Sequence, residues 1–396
     1  MKKQLLQMAL GTALFAGFTN PTKAQETQIK FFGQPELQNI QTSTQGKWVP
    51  DATSPTGVSF NTTKHDTSKT AFNQGNYVLF VTSQLSERIS VLSENLASLV
   101  GTTPTFDVKR LLIRYYIKDY FSLRVGKMFN PIGYWNNQYN FGLVLQPTIA
   151  RPSIILPAAE GGVLQINDVG LQVEGDNISK ARLFYRLFIH NGTNSVGFSD
   201  KGDNKFAYTG ALGIEPIDGL KILVSGMYDN FYKSATNPAG YAPPKNGNLL
   251  LSNVAVAFMN PEKKFEAIAE LYMQTNTYDS IGKRSSYGYF GYAGYKVTNK
   301  FIPYVSYMYA QAGTTTQSDI YYVGQNGVLY NATTFSLGLR YKVSANFVCK
   351  LEYNYRSAKE TFQNGEFAAL PKVLNLGDKI NTQIDQGFHL QFAYSF

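Results

Sequence analysis

Residues 385–396 read Asp385-Gln386-Gly387-Phe388-His389-Leu390-Gln391-Phe392-Ala393-Tyr394-Ser395-Phe396. Phe388, Leu390, Phe392, Tyr394 and Phe396 share one face, while His389, Gln391, Ala393 and Ser395 share the other. A period of two marks a β-strand with unlike faces, and an amphipathic helix cannot produce it. The apolar face needs an apolar neighbour, either a second packed sheet or membrane hydrocarbon. The rest of the chain decides between them.

Composition points to the membrane. Aromatic residues make up 14% of the 396 positions and charged residues only 16%, against about 25% charged in an average soluble domain. Yet after the first two dozen residues no stretch is long and apolar enough to cross a bilayer as a helix. Backbone groups in lipid must all be satisfied internally, which leaves a closed barrel. The expected fold is all-β: a transmembrane antiparallel up-and-down barrel of about 16 strands, within a range of about 14–18, with short periplasmic turns and long extracellular loops. A soluble sandwich would explain the alternation but not the aromatic excess or the loop asymmetry described below.

The N-terminus reads as a secretory signal. Lys2 and Lys3 precede an apolar run from Leu5 to Phe18, and Thr22-Lys23-Ala24 offers small residues for cleavage. Residues 1–24 are therefore expected to be a signal peptide and 25–396 a single barrel. Without Lys2, Lys3 and Lys23 the formal charge falls from +9 to +6. No compact Lys/Arg run accompanies it, so a nucleic-acid partner is not expected. The single cysteine, Cys349, cannot form an internal disulfide and falls on the apolar face of a strand, where inert packing is the expectation.

Alternating segments recur along the chain. Candidate strands lie at 29–36, 76–86, 88–97, 106–117, 120–128, 163–174, 181–191 and 205–215. They continue at 219–231, 248–259, 264–275, 285–298, 300–312, 332–343, 346–357 and 385–396, an even number as bacterial barrels require. Turns such as Lys118-Asp119-Tyr120, Asn260-Pro261-Glu262 and Thr298-Asn299-Lys300 alternate with long connections at 37–75, 129–162, 232–247, 313–331 and 358–384. With sixteen strands both termini fall on the short-turn side.

Alternation also assigns faces. Leu111, Ile113, Tyr115 and Ile117 point outward, which puts Arg110 and Arg114 inside. The same reasoning puts Arg124, Arg182, Arg186, His190, Arg340, Lys350, Glu352 and Arg356 inside, with Glu266, Glu270, Asp168 and Glu174 as acidic counterweights. A charge facing mid-bilayer lipid would cost about 2–4 kcal/mol. Inward arginines in excess of inward acids suggest a basic, anion-favouring aqueous pore. Cross-strand pairing that merely stiffens the wall would use the same residues.

The connection 129–162 is the third on the long-loop side. It contains Pro131, Tyr134, Trp135 and Arg151, and its apolar content (Phe141, Leu143, Ile154, Ile155) is high for a solvated loop. Its position resembles the loop that general porins fold inward, which implies a constriction loop. A lid packed on neighbouring loops is the competing expectation. The stretch Gly126-Lys127-Met128-Phe129-Asn130-Pro131-Ile132-Gly133 resembles the G-(K/R)-x-x-x-P-(I/F)-G segment of Gram-negative porin-like barrels, including the phosphate-selective porin O and P group and its relatives. A dense Lys/Arg phosphate site is not matched residue by residue. Phe396, ending an aromatic alternating strand, resembles the C-terminal assembly signal of outer-membrane barrels.

The resemblance implies a porin in the outer membrane of a Gram-negative bacterium, passing small hydrophilic solutes by passive diffusion. It also implies contact with outer-membrane lipid and lipopolysaccharide, recognition by the barrel-assembly machinery, and a homotrimer as the default assembly. No zinc-protease, nucleophile-elbow, phosphate-loop or dinucleotide motif is present, and no cysteine pair or histidine cluster suggests a metal. The expectation is a non-enzymatic protein without cofactor. A barrel-borne hydrolase would have to use His190 with Ser195. A structural or adhesive barrel, or a transporter of hydrophobic substrates, completes the alternatives; 37–75 is too polar for a plug.

Overall fold

The last residue meets the first described strand. Phe31 N donates to Phe396 O at 2.9 Å, Phe396 N returns the bond at 3.0 Å, and the two rings stack 5.4 Å apart. This pairing closes a barrel. The computed structural model describes residues 26–50, 58–61, 63–100, 103–139, 145–155, 165–192, 195–196, 200–201, 205–231, 246–279, 282–312, 328–362 and 379–396.

Strand β1 comprises Glu26–Gly33 and Glu36–Gln45, and β2 comprises His65–Asn73 and Asn76–Gln84. They are followed by β3 (Ile89–Val100), β4 (Thr103–Lys118), β5 (Phe121–Phe129), β6 (Asn167–Ile178) and β7 (Leu183–His190). Next come β8 (Ala207–Ile217), β9 (Leu220–Phe231), β10 (Gly247–Phe258), β11 (Phe265–Tyr278) and β12 (Gly282–Tyr295). The wall ends with β13 (Phe301–Ala312), β14 (Val328–Lys342), β15 (Phe347–Phe362) and β16 (Lys379–Ser395). Each strand pairs antiparallel with its sequence neighbours, and β16 pairs with β15 and β1. The 18 hydrogen-bonded segments thus make sixteen strands, because β1 and β2 are each interrupted once.

The two interruptions lie side by side at Gln34-Pro35 and Gln74-Gly75. Pro35 has no N–H to give to a ladder, and Gly75 takes a φ of 71° that glycine adopts without a Cβ penalty. Beyond the break, Glu36–Gln45 pairs with both His65–Asn73 and β16. The expected loop at 37–75 is therefore largely wall, with only 46–64 connecting its halves. Asn39 faces Thr70, Gln41 faces Ser68 and Ser43 faces Asp66. Polar residues fill both faces of most of this strand pair, so the usual apolar alternation is missing there.

Connections on the terminal side are all short, from Asp119-Tyr120 to 259–264. On the opposite side the long ones include 130–166 and 191–206, although Val100 and Thr103, and Tyr278 and Gly282, are joined almost directly. The outer face carries Ile113, Val125, Leu187, Val224, Leu250, Val254, Leu337 and Phe388, all exposed. Cys349 lies on this face too, in register between Tyr341 and Phe392. Apolar side chains open on the outside and polar ones turned inward are the pattern of a transmembrane barrel. Leu187 is 57% exposed on that belt, so Leu187→Arg should destabilise the folded barrel by about 2–4 kcal/mol. The check is the denaturant midpoint of the barrel folded in lipid vesicles.

Candidate functional site

Two glycines with positive φ, one within β5 and one just after it, mark the segment that leaves the wall at Asn130. Gly126 has a φ of 126°, and a Cβ there would lie 2.2 Å from the Leu111 carbonyl oxygen. Gly133 has a φ of 72°, and a Cβ there would lie 1.9 Å from Tyr272 Oη and 2.6 Å from Glu270 Oε2. Gly126 is thus a close approach within the β5 ladder, between Leu112 and Gly170, and Gly133 the landing of the segment on another part of the wall. Between them, Asn130 N donates to Ile166 O at 2.9 Å, and Asn136 Nδ2 donates to Asn130 O at 2.8 Å. Pro131 and Ile132 are buried.

A short helix α1 (Tyr134–Tyr139) follows, and Glu270 on β11 closes its N-terminus. Tyr134 N donates to Glu270 Oε2 at 3.0 Å and Trp135 N to Oε1 at 2.7 Å. The first N–H groups of a helix have no internal partner, and a carboxylate satisfies them while meeting the positive end of the dipole. Gly133 N is held by Ser225 Oγ on β9 at 3.1 Å. Trp135, fully buried, packs edge-on against Tyr139 at 5.2 Å and Phe290 at 5.3 Å.

The return leg is held by a second carboxylate. Glu352 on β15 accepts from Ile149 N at 2.9 Å, Ala150 N at 3.0 Å and Tyr304 Oη at 2.6 Å. Lys350 Nζ donates to Thr148 O at 3.3 Å. A 3₁₀ turn at Ser153–Ile155 then buries Ile154 and Ile155 fully, with Ile154 over Gly288. Ile132, Trp135, Ile154 and Ile155 belong to one apolar cluster with the inward residues Leu223, Met227, Leu251, Tyr272, Phe290 and Met308. The described parts of 130–155 therefore lie inside the barrel, across the inner faces of β9 to β15. Gly133→Ala should lift this landing point off Glu270 and Tyr272, seen as faster protease cleavage within 130–160 of the intact barrel.

The inner wall of β3 to β7 is different. Arg114 and Arg124 sit directly opposite each other in the β4–β5 register, and both reach the buried Glu174 on β6. Arg114 Nε lies 3.1 Å from Glu174 Oε1, Arg124 Nη2 lies 2.8 Å from it, and Arg186 Nε lies 3.2 Å from Oε2. Arg186 also holds Asp176 at 2.7 Å. Arg110 pairs with Glu94 and lies over the Phe129 ring at 4.3 Å. The side chains of these four arginines are 21–35% exposed, whereas Glu94 and Glu174 are 4% and 0%. The acids are thus covered while the guanidinium groups remain open to the lumen. Arg110, Arg114 and Arg124 line a cavity of about 330 Å³ with Leu92, Leu112 and Thr82.

The residues expected inside thus divide. Arg110, Arg114, Arg124 and Arg186 form this basic wall, and Arg356 pairs with Asp385 at 2.8 Å near the outer end. Arg340, Lys350, Glu266 and Glu270 also face inward but are buried, Glu270 and Lys350 bonded to the inserted segment and Arg340 to Glu266. Arg182 stands apart. With a φ of 48° it falls in the turn before β7 and pairs with Asp218 at 2.6 Å in the adjacent turn. Extending the alternation through a turn assigned it a face it does not have. Burial of the Lys296 ammonium, beside Glu266 at the turn end of β12, holds its pKa below the ordinary value. Arg151 Nη2 reaches Asn136 Oδ1 at 3.5 Å, linking both legs of the loop.

His190 is buried, with Nδ1 2.8 Å from Asp168 Oδ2 and Nε2 2.9 Å from Thr209 Oγ1. Both ring nitrogens are engaged within the wall, as a satisfied lumen histidine requires.

No known protein family and no curated protein matches the sequence. The fold does match solved structures. An anion-selective porin from Comamonas acidovorans superposes with a TM-score of 0.55 at 12% identity, over 94% of this chain and 100% of that one. The outer membrane channel DcaP of Acinetobacter baumannii gives 0.55 at 11% identity, over 96% and 99%. The trimer form of OmpT, an outer membrane protein of Vibrio cholerae, gives 0.53 at 12% identity, over 94% and 100%. The fold is that of outer-membrane porins. At these identities the likeness concerns architecture, and the chain has the architecture of a Gram-negative outer-membrane barrel.

Proposed function

We propose that this protein is an outer-membrane porin, a water-filled channel for passive diffusion of small solutes with a preference for anions. One observation carries the reading: the described parts of the inserted segment lean on β9 to β15, while Arg110, Arg114, Arg124 and Arg186 on the other inner wall keep 21–35% of their side-chain surface exposed. In this reading 129–162 constricts the pore and Arg110, Arg114, Arg124 and Arg186 set its sign. Guanidinium groups at the narrowest water path lower the electrostatic barrier to anions. The anion-selective porin among the matched structures supports the same assignment. The trimer form of another supports a homotrimer, with the outer belt held by lipid and lipopolysaccharide.

The test is planar-bilayer recording of the purified protein across a potassium chloride gradient. Discrete conductance steps with a reversal potential displaced toward that of chloride are expected. Absence of steps would overturn the channel. Cation selectivity would overturn the role of the arginines and leave the channel standing.

A further inference from the structure

The cavity on the basic wall is not lined as a site for a bare inorganic anion. Its register rows alternate: Ser90, Arg114 and Arg124 form one row, and Thr82, Leu92 and Leu112 the next. Leu112 belongs to an apolar cluster with Met128, Phe188 and the partly buried Leu92. Arg114 and Arg124 oppose one another across a strand pair, an arrangement that is destabilising unless a counter-charge relieves it. Glu174 supplies part of that charge through Arg114 Nε and Arg124 Nη2. Among the described residues, neither Nη atom of Arg114 has a protein hydrogen-bond or ion-pair partner. Arg114, Arg124 and Arg186 are balanced by Glu174 and Asp176, which leaves one positive charge. Glu26 and Gln84 continue the arginine row and also line the cavity, Glu26 three strands from Arg114.

Resting on the channel reading, we propose that this cavity is a binding subsite for amphipathic organic monoanions, a carboxylate on Arg114 and Arg124 with an aliphatic or aromatic body on Leu92 and Leu112. The Arg114 Nη atoms that no described residue engages supply the donors for one carboxylate. The volume, about 330 Å³, lies at the lower end of the range of about 300–1,000 Å³ typical of small-molecule sites.

The test adds acetate, hexanoate or phosphate to the chloride-conducting channel and measures block of the chloride current. Hexanoate should block at a concentration lower than acetate on the order of tenfold, which burial of about two of its four additional methylene groups provides. Arg114→Gln should weaken block by both carboxylates. Leu112→Asn should remove the difference between hexanoate and acetate, and Leu92→Gln repeats that test at a less buried position. Equal block by acetate and hexanoate, or stronger block by phosphate, would overturn the subsite while the channel stands. A protein without conductance would overturn the channel reading instead.

Discussion

Glu270→Ala should give a channel of clearly higher single-channel conductance in an otherwise folded barrel. The carboxylate accepts four bonds: from Tyr134 N and Trp135 N, from Tyr272 Oη at 2.6 Å and from Asn253 Nδ2 at 3.3 Å. Each buried donor left without a partner costs about 1–3 kcal/mol. The two backbone donors alone therefore shift the docked loop by about 2–6 kcal/mol. The barrel should still close, because β11 keeps its ladders with β10 and β12 along its length, although Tyr272 Oη also loses its acceptor at a cost of about 1–3 kcal/mol. Glu270→Gln retains an oxygen acceptor and should fall between the parent and alanine. Heat-modifiable electrophoretic mobility reports the barrel, while conductance and protease access to 130–160 report the loop. Unchanged conductance in Glu270→Ala, with Glu352→Ala also silent, would mean that the loop does not limit the pore.

Much of this geometry is legible in the sequence, for a reason that also marks where legibility stops. A wall with lipid outside and water or packed polar groups inside imposes a period of two. Arg110, Arg114, Arg124, Arg186, Arg340, Lys350 and Arg356 could accordingly be assigned inward from their apolar neighbours. Where both faces of a strand are mostly polar, as in Glu36–Gln45 and His65–Asn73, the alternation disappears and the strands read as loop. Arg182 shows the same limit at a turn. Alternation also says nothing about what covers an inward charge. Glu270 and Glu352 read as wall counter-charges, and only the fold brings Tyr134, Trp135, Ile149 and Ala150 onto them. The Gly126-to-Gly133 spacing was the available signal. Two glycines bracketing Asn130-Pro131 marked backbone that must approach something closely, but not what it approached.

Glu174→Gln should act on the basic wall in two directions at once. The carboxylate is fully buried and touches three guanidinium groups within 3.2 Å. Removing one partner of a fully buried pair costs about 3–5 kcal/mol; here the cost is smaller, because the guanidinium groups left behind are 22–35% exposed. Gln172 Nε2, which donates to Glu174 Oε2 at 3.1 Å, would keep an oxygen acceptor only if the new amide turned that way. The folded barrel should therefore lose its compact electrophoretic form at a lower temperature. The same substitution raises the charge of the cluster by one unit beside the cavity, so the reversal potential should move further toward that of chloride. Arg124→Gln must shift it in the opposite direction. Both shifts should be large with salt near 0.1 M, where the screening length is about 10 Å, and should shrink near 1 M, where it is about 3 Å. If Glu174→Gln lowers stability but leaves the reversal potential fixed at low salt, the arginines stiffen the wall and the permeating ions do not feel them.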